Sequence, residues 1–221
     1  YFNEAQRLGG RVELPCVNHS EKLTTLHGND FYIGFTHIKS LETQLAHDIV
    51  AERDKNGLFL DLYDFIRRVG AGKEQMVILI RSGAFRFTGQ NKPAMLWEMH
   101  LHEPSRKRRK QPEQELFAVP AKRYRLPPLK SDVLADVYDE MELIGFPVSM
   151  SMFELLQTRF RGEIMAGDMM NNLGQKVRML GRLVTLKYVK TVKGDLMHFA
   201  TFVDVDGQLF DSVHFPPVLK E

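Results

Sequence analysis

The stretch Leu79-Ile80-Arg81-Ser82-Gly83-Ala84-Phe85 decides the fold, because an apolar run stops there at a turn of small residues before a further helix begins. Ile33-Gly34-Phe35-Thr36-His37-Ile38-Lys39 has the same design and leads into an amphipathic run that reaches Arg53. Each is an apolar element, a tight turn and then a helix whose first N–H groups find no partner inside the helix. Such donors, helped by the helix dipole, suit a phosphate. Contacts of that kind touch the nucleic-acid backbone and ignore base identity.

Outward from these turns the pattern is helical. Leu41, Leu45 and Ile49, with Ala46 and Val50, form one apolar face, and Asn56-Gly57 ends that helix. Asp61 can cap a second helix with Leu62, Phe65, Ile66 and Val69 on one side, broken by Gly70 and Gly72. A third runs from Lys73 with Met76, Val77, Leu79 and Ile80 apolar. A fourth spans Asn91 to about Leu101, with Pro93 in its first turn and Met95, Leu96 and Met99 inward. Trp97, Phe85 and Phe87 read as packing residues rather than as platforms for a base. Before the first turn, residues 2–8 read as a helix stopped by Gly9-Gly10, Leu14 to Gly28 as irregular, and Phe31-Tyr32-Ile33 as a short strand.

Residues 103–130 lack periodicity and carry prolines and basic clusters: Arg106 to Lys110 without a break, then Lys122, Arg123, Arg125 and Lys130. Ser131 is the expected cap of an amphipathic helix bearing Leu134, Val137, Met141 and Ile144, stopped by Gly145-Phe146-Pro147. From Val177 the period becomes that of a strand. Val177–Val189, Leu196–Asp204 and Leu209–Phe215 form a meander joined by Lys193-Gly194-Asp195 and Asp206-Gly207. The fold class is α+β, with a helical domain, a linker and a β-meander.

Composition narrows the function classes. The chain has 221 residues, 43% hydrophobic and 26% charged, with a net charge of +2. No apolar run approaches the ~20 residues of a membrane helix. No signal peptide is visible, and the chain opens without Met as if inside a helix, so a fragment of a longer protein is expected. Cys16 is the single cysteine, which excludes an internal disulfide and a multi-cysteine zinc site. The expected compartment is the cytoplasm. The eight histidines show no ligand-like grouping, and no Gly-rich nucleotide loop is present. Asp204 and Asp206 bracket a hairpin turn, and Asp61 and Asp64 read as cap and surface, so no catalytic residue is assigned.

These motifs together resemble one family. Ile33-Gly34, Ile38-Lys39, Ile49-Val50-Ala51-Glu52-Arg53, Leu62-Tyr63-Asp64-Phe65 and Ser82-Gly83-Ala84-Phe85 are similar to the helix–hairpin–helix region of the α subunit of bacterial DNA polymerase III. Tyr1 to Gly9 with Pro15, Val17, Asn18 and Ser20 resembles the end of that family's fingers domain. Gly181-Arg182-Leu183-Val184, Thr191 to Gly194, Phe202 to Gly207 and Val213 to Pro216 resemble its OB-fold. The resemblance implies five segments: the end of fingers at 1–28, tandem helix–hairpin–helix at 29–102, a linker at 103–130, a bridging helical piece at 131–176, and the first three strands of an OB-fold at 177–221. A closed OB barrel needs five strands, so the chain is expected to continue past Glu221.

The implied function is non-catalytic DNA binding within a replicative polymerase, with duplex held by the hairpins and single-stranded template by the OB-fold. Where the family usually has glycines in the first hairpin, this chain has Ser40 and Glu42, and a carboxylate repels phosphate. The duplex expectation therefore rests on the second hairpin, at Arg81, Ser82, Gly83, Ala84 and Arg86, with Lys92 and Lys39 adding charge. The single-strand expectation falls on Lys187, Tyr188, Lys190 and Lys193, charge for phosphates and a ring for bases. Gln114, Leu116 and Phe117 resemble the family's sliding-clamp peptide, one residue shorter in spacing. Expected partners are DNA, the clamp and other replicase subunits, without a membrane. The segment needs no cofactor, whereas a parent polymerase would use Mg2+. The alternatives are an error-prone relative of the replicative enzyme, a free-standing single-strand-binding adaptor or a protein-interaction module.

Overall fold

A computed structural model describes residues 2–101 and 129–220. The chain divides into two compact units, Tyr1–Ser151 and Met152–Glu221.

The first unit opens with α1 (Phe2–Arg7). A small sheet follows, with strands β1 (Arg11–Glu13), β2 (Thr25–His27) and β3 (Asp30–Tyr32) in the order β1-β3-β2. β3 pairs parallel with β1 and antiparallel with β2. Two of these strands were not expected: β2 falls in Leu14 to Gly28, which reads as irregular, and Arg11–Glu13 carries no strand reading. Three residues are too few for a period-two signal, and the parallel partner of Arg11 is the distant Asp30.

Helices α2 (Thr43–Asn56), α3 (Leu62–Val69), α4 (Lys73–Arg81) and α5 (Lys92–Leu101) follow. The expected cap forms, with Asp61 accepting the Asp64 N–H at 2.8 Å. The core takes Ile38, Leu45 and Ile49, then Phe59, Leu62 and Phe65, then Leu79, Ile80 and Phe85, and finally Met95 and Met99. Each fully buried Leu, Ile or Phe contributes roughly 1.5–3 kcal/mol. Phe65 stands edge-on to both Phe59 and Phe85, with centroids 4.9 Å apart in each pair. The ring of Phe85 is fully enclosed, but Phe87 is 36% and Trp97 57% exposed. The expectation that these two pack inward is corrected: Met95 and Met99 define the inner face of α5, and Trp97 lies between them on another side.

Helix α6 (Val133–Leu143) packs on α4 within the same unit. Its cap is Asp132, accepting the Leu134 N–H at 2.9 Å, and not Ser131. Its buried face is Val137, Glu140 and Leu143 with Ile144, whereas Leu134 is half exposed. Periodicity missed Glu140 because a carboxylate marks a polar position. Here it is satisfied by the N–H groups of Val148 and Ser149 at 2.7 and 3.0 Å and by the Ser149 hydroxyl. Residues 131–176, read from sequence as one piece, thus divide between the two units.

The second unit is built on an antiparallel sheet of β4 (Arg182–Lys190), β5 (Leu196–Val203) and β6 (Leu209–His214), in that order. The meander forms as expected, but its first strand begins at Arg182 rather than Val177. Phe202 stacks on Phe210 across β5 and β6, and Gly181 lies against the Phe210 ring and the Phe202 Cβ. Asp204 is buried, accepting from Gln208 N and Ala166 N at 2.8 Å each. The α+β class holds.

Candidate nucleic-acid interface

The second hairpin joins α4 to α5. Ser82, Gly83 and Ala84 are all buried. Their N–H groups donate to the carbonyls of Ile78, Ile80 and Leu79 at 2.9, 3.1 and 3.0 Å. Gly83 has φ of 81°, and a Cβ there would meet Leu14 Cδ1 at 3.2 Å, so the turn requires glycine. The cations around it are also engaged. Arg81 pairs with Asp139 at 2.7 Å and Glu142 at 2.6 Å, both on α6. Hydrogen bonding to Arg81 holds the Glu142 carboxyl below its ordinary pKa. Arg86 pairs with Glu13 at 3.0 Å, and Lys92 with Asp136 and Asp139 at 3.1 and 3.2 Å. Any phosphate reaching these cations must displace a carboxylate.

The first hairpin, Lys39 to Glu42, leads into α2 and is arranged differently. Lys39, Ser40 and Glu42 are exposed. Ser40 adopts a left-handed backbone with φ of 63°. That is the conformation a glycine would supply, and it costs a non-glycine residue roughly 1–2 kcal/mol. The N-terminus of α2 has no side-chain cap from Glu42. The N–H groups of Thr43, Gln44 and Leu45, in its first turn, have no helical partner. Among the described residues the Lys39 ammonium makes no ion pair, although its charge adds to that of Arg81 in lowering the Glu142 carboxyl, and the Lys39 N–H donates to Leu143 O at 2.8 Å.

Sequence reasoning missed Gln75. From α4 its side chain donates to Ser40 O at 3.1 Å and accepts from Glu42 N at 2.9 Å. A half-buried glutamine in a helix carries no pattern that announces a partner more than thirty residues away.

The loop between α2 and α3 is held just as firmly. Asn18 exchanges two hydrogen bonds with the backbone of Phe59. Arg68 donates to Gly57 O at 2.7 Å and Leu58 O at 3.1 Å, and its guanidinium lies 4.3 Å from the Phe59 ring centre. Burial works to raise the Asp64 pKa, but the Leu60 N–H, Arg68 and Arg67 outweigh it and the group lies below its ordinary value.

In the second unit Lys187, Lys190 and Lys193 are exposed, and Tyr188 is 60% exposed, its ring 4.5 Å from that of His198 in an edge-on contact. Strand alternation puts Tyr188 and Lys190 on one face of the sheet and Lys187 on the other, where it opposes Phe199. Lys193 lies in the turn between β4 and β5. The four residues therefore do not share a single face. Gln114, Leu116 and Phe117 lie outside the described residues, as does the basic block from Arg106 to Arg125.

Cys16 Sγ lies 3.3 Å from His19 Nδ1, but burial pushes the thiol up and the imidazole down, so the pair is neutral and no thiolate is favoured. Among the described residues no group of three or more His, Cys, Asp or Glu side chains could hold a metal ion. Among them, too, no helix is long and apolar enough to cross a membrane.

A tight hairpin joins the packed helices α4 and α5, the first hairpin runs from the three-residue 3-10 turn Phe35–His37 into α2, and residues 9–95 match the helix-hairpin-helix motif family. Over its whole length the chain is similar to bacterial DNA polymerase III α subunits. It is 29% identical over 229 aligned positions to the DNA polymerase III subunit alpha of Aquifex aeolicus, covering all of this chain and 18% of that protein. It is 25% identical to the subunit alpha of Treponema pallidum, again over all of this chain and 20% of the relative. An error-prone DNA polymerase of Mycobacterium bovis is 34% identical over 96 positions, covering 42% of this chain and 9% of that protein. The chain thus spans a fifth or less of the length of these relatives.

Proposed function

We propose that this chain is the part of a bacterial replicative polymerase α subunit that grips DNA without performing the chemistry. The observation that carries the reading is the first hairpin. There an exposed Lys39 that makes no ion pair among the described residues, a left-handed Ser40 and an α2 N-terminus without a side-chain cap lie within a few residues of one another. A phosphate at that point would receive backbone N–H groups and an ammonium together. The exposed Glu42 side chain must turn away from it. Arg81, Arg86 and Lys92 add to the grip only by exchanging a carboxylate for a phosphate. Such contacts hold a duplex in register regardless of its sequence.

The β-meander supplies the second contact in this reading. Tyr188 offers a ring to a base, and Lys190, Lys193 and Lys187 offer charge to a single strand, in the manner of an OB-fold. The linker supplies the third, with Gln114, Leu116 and Phe117 docking on a sliding clamp. Other replicase subunits and a cytoplasmic setting follow from the same parentage. The likeness to the error-prone polymerase of Mycobacterium bovis favours a second reading, in which the parent is an error-prone relative using the same hairpins.

Fluorescence anisotropy of the chain with labelled duplex at low salt tests the first contact. Binding that unlabelled duplexes of unrelated sequence displace equally well is expected. Absence of binding, or strong preference for one sequence, contradicts it. Loss of clamp co-elution in Leu116→Ala/Phe117→Ala is the corresponding test for the linker.

A further inference from the structure

Ser40 is the only non-glycine residue with a left-handed backbone among the described residues. An L side chain resists that conformation, and it persists only where the surroundings over-determine it. The surroundings here are specific. Lys39 is pinned through its N–H to Leu143 O at 2.8 Å, and Ile38 is buried beneath it. The two residues that flank the turn on its far side are held by one side chain. Gln75 Nε2 donates to Ser40 O at 3.1 Å, and Gln75 Oε1 accepts from Glu42 N at 2.9 Å. A carboxamide can do both, whereas a carboxylate only accepts and an ammonium only donates. Gln75 is itself fixed by its neighbours in α4, since Met76 and Leu79 are buried in the core.

We infer that Gln75 is a positioning residue for the phosphate contact, holding Lys39 to Glu42 in the shape that presents Lys39 and the first N–H groups of α2 to one anion. It does this without touching the nucleic acid. The Gln75 amide oxygen takes the Glu42 N–H, and the Thr43 and Gln44 N–H groups that follow have no partner inside the helix. The inference rests on the reading of the first hairpin as a DNA contact. It deepens that reading by assigning the strain at Ser40 a counterpart on a different helix.

The test compares four forms of the chain: wild type, Gln75→Ala, Ser40→Gly and the double variant Gln75→Ala/Ser40→Gly. Duplex affinity, thermal midpoint and hydrogen exchange at the Glu42 amide are measured on each. Gln75→Ala weakens duplex binding about 5- to 10-fold through lost pre-organisation, with faster Glu42 exchange and little change in midpoint. Ser40→Gly alone tightens binding about twofold, and in the Gln75→Ala background it brings affinity back to within about twofold of wild type, because glycine adopts the turn unaided. Unchanged affinity in Gln75→Ala, or no recovery in the double variant, overturns the positioning role while the duplex reading stands. Unchanged Glu42 exchange overturns the hold itself. If wild type binds no duplex, the DNA reading fails and the positioning role with it.

Discussion

Asn18 closes a miniature ladder with Phe59, its Nδ2 donating to Phe59 O at 2.9 Å and its Oδ1 accepting from Phe59 N at 2.8 Å. The two residues are 41 apart in the chain, and both are buried. One carboxamide therefore ties the N-terminal region to the loop between α2 and α3. Asn18→Ala removes both bonds and leaves two buried backbone groups unsatisfied. The predicted loss is about 2–4 kcal/mol of stability in the first unit. Urea denaturation followed by far-UV circular dichroism checks it, and a loss below roughly 0.5 kcal/mol, the ordinary range of a surface change, contradicts it.

Acid should loosen the same loop. The folded pKa of Asp64 lies below its ordinary value. Its contribution is therefore present above the unfolded pKa, about 3.9, and is lost as pH falls through the folded value. Stability of wild type is predicted to drop below about pH 4 more steeply than that of Asp64→Asn, which has no proton to take up there. Urea midpoints collected from neutral to acidic pH compare the two slopes. Parallel curves would mean that Asp64 does not carry the effect.

Much of the helical architecture was legible. Asp61 stood where a cap was needed, and Met95 and Met99 sat one turn apart on the inner face of α5. Gly194 and Gly207 punctuated the three strands. What was not legible has a common cause, which is pairing across distance. The three-residue β1 and β3 carry too little pattern to announce their parallel register. The apolar pattern of α6 says nothing of its acidic residues, yet Asp139 and Glu142 hold Arg81. That pairing redirects attention from the second hairpin, where charge and glycine pointed, to the first, where Ser40 and Glu42 argued against a phosphate. No local pattern announces that Ser40 keeps a left-handed backbone or that Gln75 bonds to Ser40 and Glu42 from α4.

The second unit offers a packing test. A Cβ at Gly181 would lie 2.7 Å from Phe210 Cζ and 2.9 Å from Phe202 Cβ. Phe202 and Phe210 are stacked, so neither ring can withdraw without breaking that contact. Gly181→Ala is predicted to cost roughly 1–3 kcal/mol through overpacking. Near-ultraviolet spectra and hydrogen exchange across β5 and β6 should register it. Full protection of those strands in the variant contradicts the tight approach.

The most direct test is duplex affinity across a salt series for wild type, Lys39→Ala and Arg81→Ala/Arg86→Ala. If the first hairpin grips the backbone, log K for wild type falls by about 0.9 per neutralised phosphate with log salt, and Lys39→Ala flattens the slope by about one such step. The double arginine variant, whose guanidinium groups already face Asp139, Glu142 and Glu13, is predicted to change the slope by less than Lys39→Ala does. A slope near zero for wild type, or a larger flattening from the arginine pair than from Lys39, contradicts the account.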